Sequence, residues 1–209
     1  MCNANNDNDL NLIFDEIYTG QKWYGGGSGE GSTIAFNQNT YIPFIRTYID
    51  THNITSVIDI GSGDCQCLHM LYHDKDITYN GYDCSKTMIT ETKAKYENEK
   101  FRFELIDGNE VLLYIQKKVD LLIIKDVLQH WTTSRIVSFL HELSAKVSFK
   151  KCLLVNDMSH SETTNIKDGQ WRCINWKDSC FNNLRLKPVM IFGIRIPKEI
   201  VEFEGIKGG

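Results

Sequence analysis

Residues 56–66, Ser-Val-Ile-Asp-Ile-Gly-Ser-Gly-Asp-Cys-Gln, constrain this chain more than any other stretch, because a short apolar run there ends at an acid and then Gly-x-Gly. Val57, Ile58 and Ile60 are predicted as a strand buried on both faces, since β-branched side chains suit a pleated surface and a parallel strand shows little alternation. Asp59 interrupts the run near its C-terminal end. Gly61 and Gly63 permit a tight turn and close approach of a ligand to the backbone, and residues 64–72 are placed to open a helix over it. This order of strand, turn and helix suits a nucleotide-type ligand, although glycines also mark ordinary turns.

Elements alternate on both sides of that stretch. A helix is predicted over 41–51, with Pro43 in its first turn. Strands follow at 77–82, 101–106, 120–124 and 152–155, with helical spacing at 86–97 and 134–147. Alternation of this kind predicts an α/β, Rossmann-like three-layer sandwich with a mostly parallel sheet, right-handed crossovers and ligands beyond the carboxyl ends of the strands. Residues 188–196 and 199–203, parted by Pro197-Lys198, are predicted to close it as an antiparallel hairpin. Three units are expected: a polar, disordered tail over 1–11; an N-terminal helix and Gly-rich lid over 12–40; and the main domain over 41–209, with an irregular insertion at 158–186. Trp23, Tyr24 and Phe36 pin the Gly-rich loop at both ends, which suits a lid over a ligand.

A net charge of -4 gives no general attraction to nucleic acid, so Lys117, Lys118, Lys146, Lys150 and Lys151 are expected to be solvated faces. No apolar run is long enough to cross a bilayer and the N-terminus lacks the pattern of a signal peptide. A soluble, cytoplasmic protein is expected, in host cytoplasm or a virion for a viral chain. Seven cysteines, an odd number, fit reduced thiols better than a disulfide framework. Cys65 and Cys67 lack a second ligand pair, so no metal is expected.

Four strands end in groups able to touch a ligand. The first ends at Asp59; the second ends Gly81-Tyr82-Asp83, an acid placed to accept ribose hydroxyls; the third ends Ile106-Asp107-Gly108-Asn109, able to bond an adenine; the fourth ends Lys125-Asp126-Val127-Leu128-Gln129-His130. In these motifs, over residues 41–157, the chain resembles the class I S-adenosylmethionine-dependent methyltransferases, and residues 23–29 are similar to the Gly-rich N-terminal loop of a bacterial and viral subgroup. The resemblance implies a seven-stranded sheet with an antiparallel C-terminal strand. It implies S-adenosylmethionine as cofactor, with S-adenosylhomocysteine as product, held by Trp23, Ser28, Asp59, Gly61, Ser62, Gly63, Asp83, Cys84, Asp107, Gly108, Asn109, Lys125, Asp126 and Val127. The family pattern often carries a further Gly where Cys65 or Gln66 stands. A dinucleotide oxidoreductase is disfavoured because Gln66 stands where its third glycine belongs and Asp59 would repel a pyrophosphate.

If the acceptor is a hydroxyl, a base is useful, and His130 is favoured, with Asp126 orienting it and Asp157 on the acceptor side. The Gly-rich loop and the insertion, with Trp171, Arg172, Trp176 and Phe181, are expected to wall the acceptor pocket. Their aromatic faces suit a sugar, a glycan or another small hydroxylated molecule. Two other expectations stand beside this: an RNA (cap or nucleoside) methyltransferase or nucleic-acid-binding module, and a cofactor-binding scaffold without catalysis.

Overall fold

The computed structural model describes residues 9–23, 26–108, 110–115, 118–195 and 197–207. In chain order the elements are α1 (Leu10–Thr19), α2 (Ile34–Asn37), α3 (Tyr41–His52), β1 (Ser56–Ile60), α4 (Leu68–Tyr72), β2 (Thr78–Asp83), α5 (Lys86–Tyr96), β3 (Phe101–Leu105), β4 (Val119–Lys125), α6 (Thr133–Lys146), β5 (Phe149–Asp157), β6 (Leu184–Phe192) and β7 (Lys198–Ile206). The strands form one sheet in the order β3-β2-β1-β4-β5-β7-β6. Strands β1 to β5 pair in parallel, and β7 runs antiparallel to both β5 and β6.

Burial follows from this order. Leu121, Leu122, Ile123 and Ile124 of β4 are all buried, as a central parallel strand covered on both faces requires. Side chains of a strand alternate between faces. Ile58 and Ile60 therefore pack with α1 and α6, while Val57 packs with α3, α4 and α5 on the other side. Asp59 shares Val57's parity and faces α3 and α4. Proline in a strand belongs at an edge or a bulge; Pro188 has both, since β6 is the last strand and its register shifts beside that residue.

Several expected boundaries move. Leu10, Ile13, Phe14 and Ile17 recur at helical spacing and α1 does begin at Leu10, so a tail over 1–11 reaches two residues too far: Asp9 caps the helix through its side chain and Leu10 is fully buried. Residues 1–8 lie outside the described residues. The helix after the Gly-x-Gly begins at Leu68 and not at 64, because Gly61, Gly63 and Cys65 all adopt positive φ and the turn must unwind before a helix can start. The Gly-rich stretch holds a single helical turn at Glu30–Ser32, and α2 follows it. Tyr24 and Gly25 lie outside the described residues. The last hairpin is longer than expected: Leu184–Leu186 belong to β6 instead of the insertion, and Lys198 opens β7. No helix among the described residues is long and apolar enough to cross a membrane.

Candidate active site

Beyond the carboxyl ends of β1, β2 and β4 lie three abutting cavities. The first is walled by Asp59, Ser62, Tyr41, Cys67 and Lys125. The second is floored by Ile60, Gly61, Asp83, Cys84, Gly108 and Val127 and roofed by Leu10, Phe14, Tyr18 and Trp23, and Gly61 borders both. The third, of about 830 Å³, shares Tyr18, Trp23 and Asp126 with the second and adds His130, Asp157, Trp171 and Lys198.

The Gly-x-Gly turn is fastened from β2. Asp83 accepts the Gly63 N–H at 2.9 Å on one carboxylate oxygen and the Ser85 N–H at 2.8 Å on the other, tying the turn to the start of α5. Burial pushes its carboxyl up, and the backbone N–H groups of Ser85, Gly63 and Cys84 pull it back. Gly61 and Gly63 are needed for space as well as conformation. A Cβ at Gly61 would lie 2.2 Å from Val127 Cγ2, and one at Gly63 would lie 2.2 Å from Ser28 Oγ. Ser28 sits on that turn because it donates its N–H to Asp64 at 3.0 Å and accepts the Asp64 N–H at 2.9 Å. The Gly-rich loop is thereby latched over the turn.

Asp59 accepts the Tyr79 hydroxyl at 2.9 Å. Its carboxyl is pushed up to about 7, first by burial and then by the Asp83 carboxylate, while the Tyr79 hydroxyl and the Lys125 ammonium lower it. Ser62 Oγ in the same cavity is buried with no hydrogen-bond partner among the described residues. An acid near neutrality beside an orphaned hydroxyl fits the cationic amino-acid end of a ligand better than a phosphate.

The third motif contributes differently. Ile106 and Gly108 line the second cavity; Asp107, contrary to expectation, is not among its lining residues. Asn11 of α1 holds this bend, donating to the Ile106 carbonyl at 2.8 Å and accepting the Gly108 N–H at 2.9 Å. Nothing in a polar N-terminus signals such a side chain, since its partners are backbone atoms far along the chain. Asn109 lies outside the described residues.

His130 is buried between Trp23, at 5.3 Å between ring centroids, and Phe14, at 6.1 Å. Its Nδ1 lies 3.0 Å from the Gln170 carbonyl, which can only accept, so Nδ1 carries the proton and a neutral ring leaves Nε2 as a base. Burial, the largest cause, lowers the ring's proton affinity, and the Gln170 carbonyl partly opposes it. The expectation that Asp126 orients this ring is not met. Asp126 is instead bonded to Lys125 and Lys198 at 2.5 Å each, and Lys125 also reaches the Gly31 carbonyl at 2.9 Å. The Gln170 carbonyl has the orienting place, a backbone role that no side-chain motif reveals.

Of the aromatic and basic residues expected in the insertion, only Trp171 lines the third cavity; its indole N–H donates to Asp157 at 2.8 Å. Trp176 and Phe181 are buried in the core beneath, and buried Arg172 binds the carbonyls of Thr164 and Trp131. Asn156, buried away from the cavity, accepts the Gln129 N–H, and Gln129 in turn accepts the Asp157 N–H. Among the described residues no cluster of three or more His, Cys, Asp or Glu stands ready to hold a metal ion.

A mostly parallel sheet whose first strand ends in a Gly-x-Gly turn, with an acid at the end of the second, defines an α/β protein with its ligand site beyond the strand ends. Residues 57–148 match the family model described as a methyltransferase domain. No curated protein matches the sequence. Among solved structures, magnesium protoporphyrin IX methyltransferase (ChlM) from Synechocystis PCC 6803 with bound SAM superposes with a TM-score of 0.67 at 17% identity, over 97% of this chain and 99% of that one. A SAM-dependent methyltransferase from Leishmania major gives 0.63 at 17% identity, over 80% and 73%. The mitomycin 7-O-methyltransferase MmcR gives 0.57 at 12% identity, over 85% and 62%. At these identities the likenesses establish the fold. The stretch from β1 through α6 is thus the part of the chain that is similar to a methyltransferase domain.

Proposed function

We propose that this protein methylates a hydroxyl of a small acceptor, a sugar or glycan being the class its aromatic cavity suits. The observation that carries this reading is the neutral His130, whose Nδ1 is satisfied by Gln170 and which lines a cavity adjoining the strand-end site. The cofactor supplies a methyl group on a sulfonium, a carbon that needs no covalent activation by the protein. The chain's contribution is alignment, exclusion of water and a place for the acceptor's proton. Asp59 and Ser62 suit the amino-acid end, and the floor from Gly61 to Asp83 and Gly108 suits the adenosine. Ser28, latched to Asp64, and Trp23, against His130, close the site from above.

Titration calorimetry with S-adenosylhomocysteine, followed by mass spectrometry of products from nucleotide sugars, oligosaccharides and capped RNA, tests this reading. Saturable heat and one added methyl group on a hydroxylated small molecule are expected. Absence of heat, or methylation of capped RNA alone, would overturn it.

A pH dependence follows from Asp59. Its carboxyl is pushed up to about 7, so the ligand-free protein ionises it only as pH rises through neutrality. A cationic cofactor favours the ionised form, and its affinity is expected to climb between about pH 6 and about pH 8. Asp59→Asn should flatten that slope. Because this carboxyl is raised in the folded state, its ionisation opposes folding; that cost is absent below the ordinary carboxylate value and complete above about 7. Thermal melts of the ligand-free Asp59→Asn variant should therefore lose the corresponding decline.

A further inference from the structure

Lys198, the first residue of β7, is 3% exposed and lies on the wall of the cavity that also presents His130. Its ammonium donates to Asp126 Oδ1 and to Asp157 Oδ1 at 2.5 Å each. Those bonds use two of three N–H groups. Among the described residues no third acceptor is bonded to it, and the Phe36 ring stands 5.8 Å away. Burial weakens its hold on the proton, but Asp126 and Asp157 more than restore it, so Lys198 stays a cation throughout the working pH range.

Stability does not account for this cluster. Two carboxylates and a lysine withdrawn from water gain little over apolar packing of the same volume. Asp126 adds a further cost, since its φ of 60° lies in the left-handed region that residues with a Cβ avoid. Both costs are understandable if the cluster holds an N–H toward a ligand. The surrounding parts support that geometry: the Trp171 indole N–H occupies the second oxygen of Asp157, and Lys125 occupies the second oxygen of Asp126. Gly31 of the lid passes so close that a Cβ there would come 2.9 Å from the Lys198 ammonium.

We propose that Lys198 is a further catalytic residue, whose third N–H receives the acceptor's hydroxyl oxygen while His130 Nε2 receives that hydroxyl's proton. The inference rests on the O-methylation reading above and deepens it. The O–H bond breaks, its electron pair stays on the oxygen facing the ammonium, and the imidazole becomes imidazolium until solvent takes the proton. A cation at hydrogen-bonding distance favours an ionised oxygen by about one to three pKa units, so the bound hydroxyl is more acidic than the free one.

The test uses para-nitrophenol, a hydroxyl acceptor mimic whose ionisation is read by absorbance. Wild-type protein is expected to bind it and raise its phenolate-to-phenol ratio at least about tenfold. Lys198→Arg should keep most of that effect and Lys198→Met should lose it, with circular dichroism confirming the fold. Should Lys198→Met fail to fold, Lys198→Met combined with Asp157→Asn removes one charge of each sign and serves instead. An unshifted or unbound probe in the wild type, or an undiminished shift in the Met variant, would overturn the role of Lys198. Titration of S-adenosylhomocysteine into the same preparations separates the two readings. Heat from the cofactor product without probe ionisation removes Lys198 alone, and absence of that heat removes the methyl-transfer reading with it.

Discussion

Asp83→Ala is expected to abolish measurable binding of S-adenosylhomocysteine, lowering affinity at least about 100-fold. Asp83 accepts from Gly63 on one side and from Ser85 on the other, so a single carboxylate sets the spacing between the Gly-x-Gly turn and the start of α5. Removing it strands two backbone N–H groups in a buried place, at about 1–3 kcal/mol each, and releases the turn that must lie along the ligand. A factor of 100 in affinity corresponds to about 2.7 kcal/mol, within the reach of that loss. Asp83→Asn is informative because an amide accepts on one side only and sets its own NH₂ against the other backbone N–H. It should fall between wild type and Ala. Calorimetry checks both variants, and binding by Asp83→Ala at wild-type affinity would show that the ribose side of the site lies elsewhere.

His130→Ala is expected to lower kcat by about 10²–10⁴-fold while leaving S-adenosylhomocysteine affinity within a few-fold of wild type. The separation follows from position: His130 lines the larger cavity with Asp157, Trp171 and Lys198, while Gly61, Asp83 and Gly108 line its neighbour. Burial lowers the ring's proton affinity, so the acid limb of the wild-type rate profile should fall below the ordinary histidine value of about 6.5. That limb should vanish in the variant. Stopped assays across pH, with a product identified by the mass-spectrometric panel, make the measurement. Undiminished turnover in His130→Ala would remove the base from this histidine.

Much of the framework was legible because it is written in local pattern. The runs at 57–60 and 120–124 are β-branched and apolar enough to be read as strands covered on both faces. Ser85 reads as a helix cap directly, and its hydroxyl accepts the Met88 N–H. The acids at the ends of β1 and β2 were visible for the same reason, since an Asp closing an apolar run stands out against its neighbours. Less legible was Asn11, which sits in a polar segment and takes its meaning from Gly108 and Ile106, nearly a hundred residues away. Trp176 and Phe181 misled in the opposite direction. Aromatic residues in an irregular stretch resemble a binding wall, and here they fill the core beneath it.

Sequence alone determined the sheet class, the Gly-x-Gly turn and the set of strand-end acids, because strand periodicity, glycine backbone freedom and the position of a charge after an apolar run are properties of adjacent residues. Tertiary structure decided what those acids hold. It turned Asp126 from His130 to Lys125 and Lys198, assigned the histidine's orientation to the Gln170 carbonyl, and brought Lys198 from the last hairpin beside residues of β4 and β5. These outcomes depend on the antiparallel pairing that sets Lys198 opposite Asp157. A register between distant strands is a property of the packed sheet, and no window of neighbouring residues contains it.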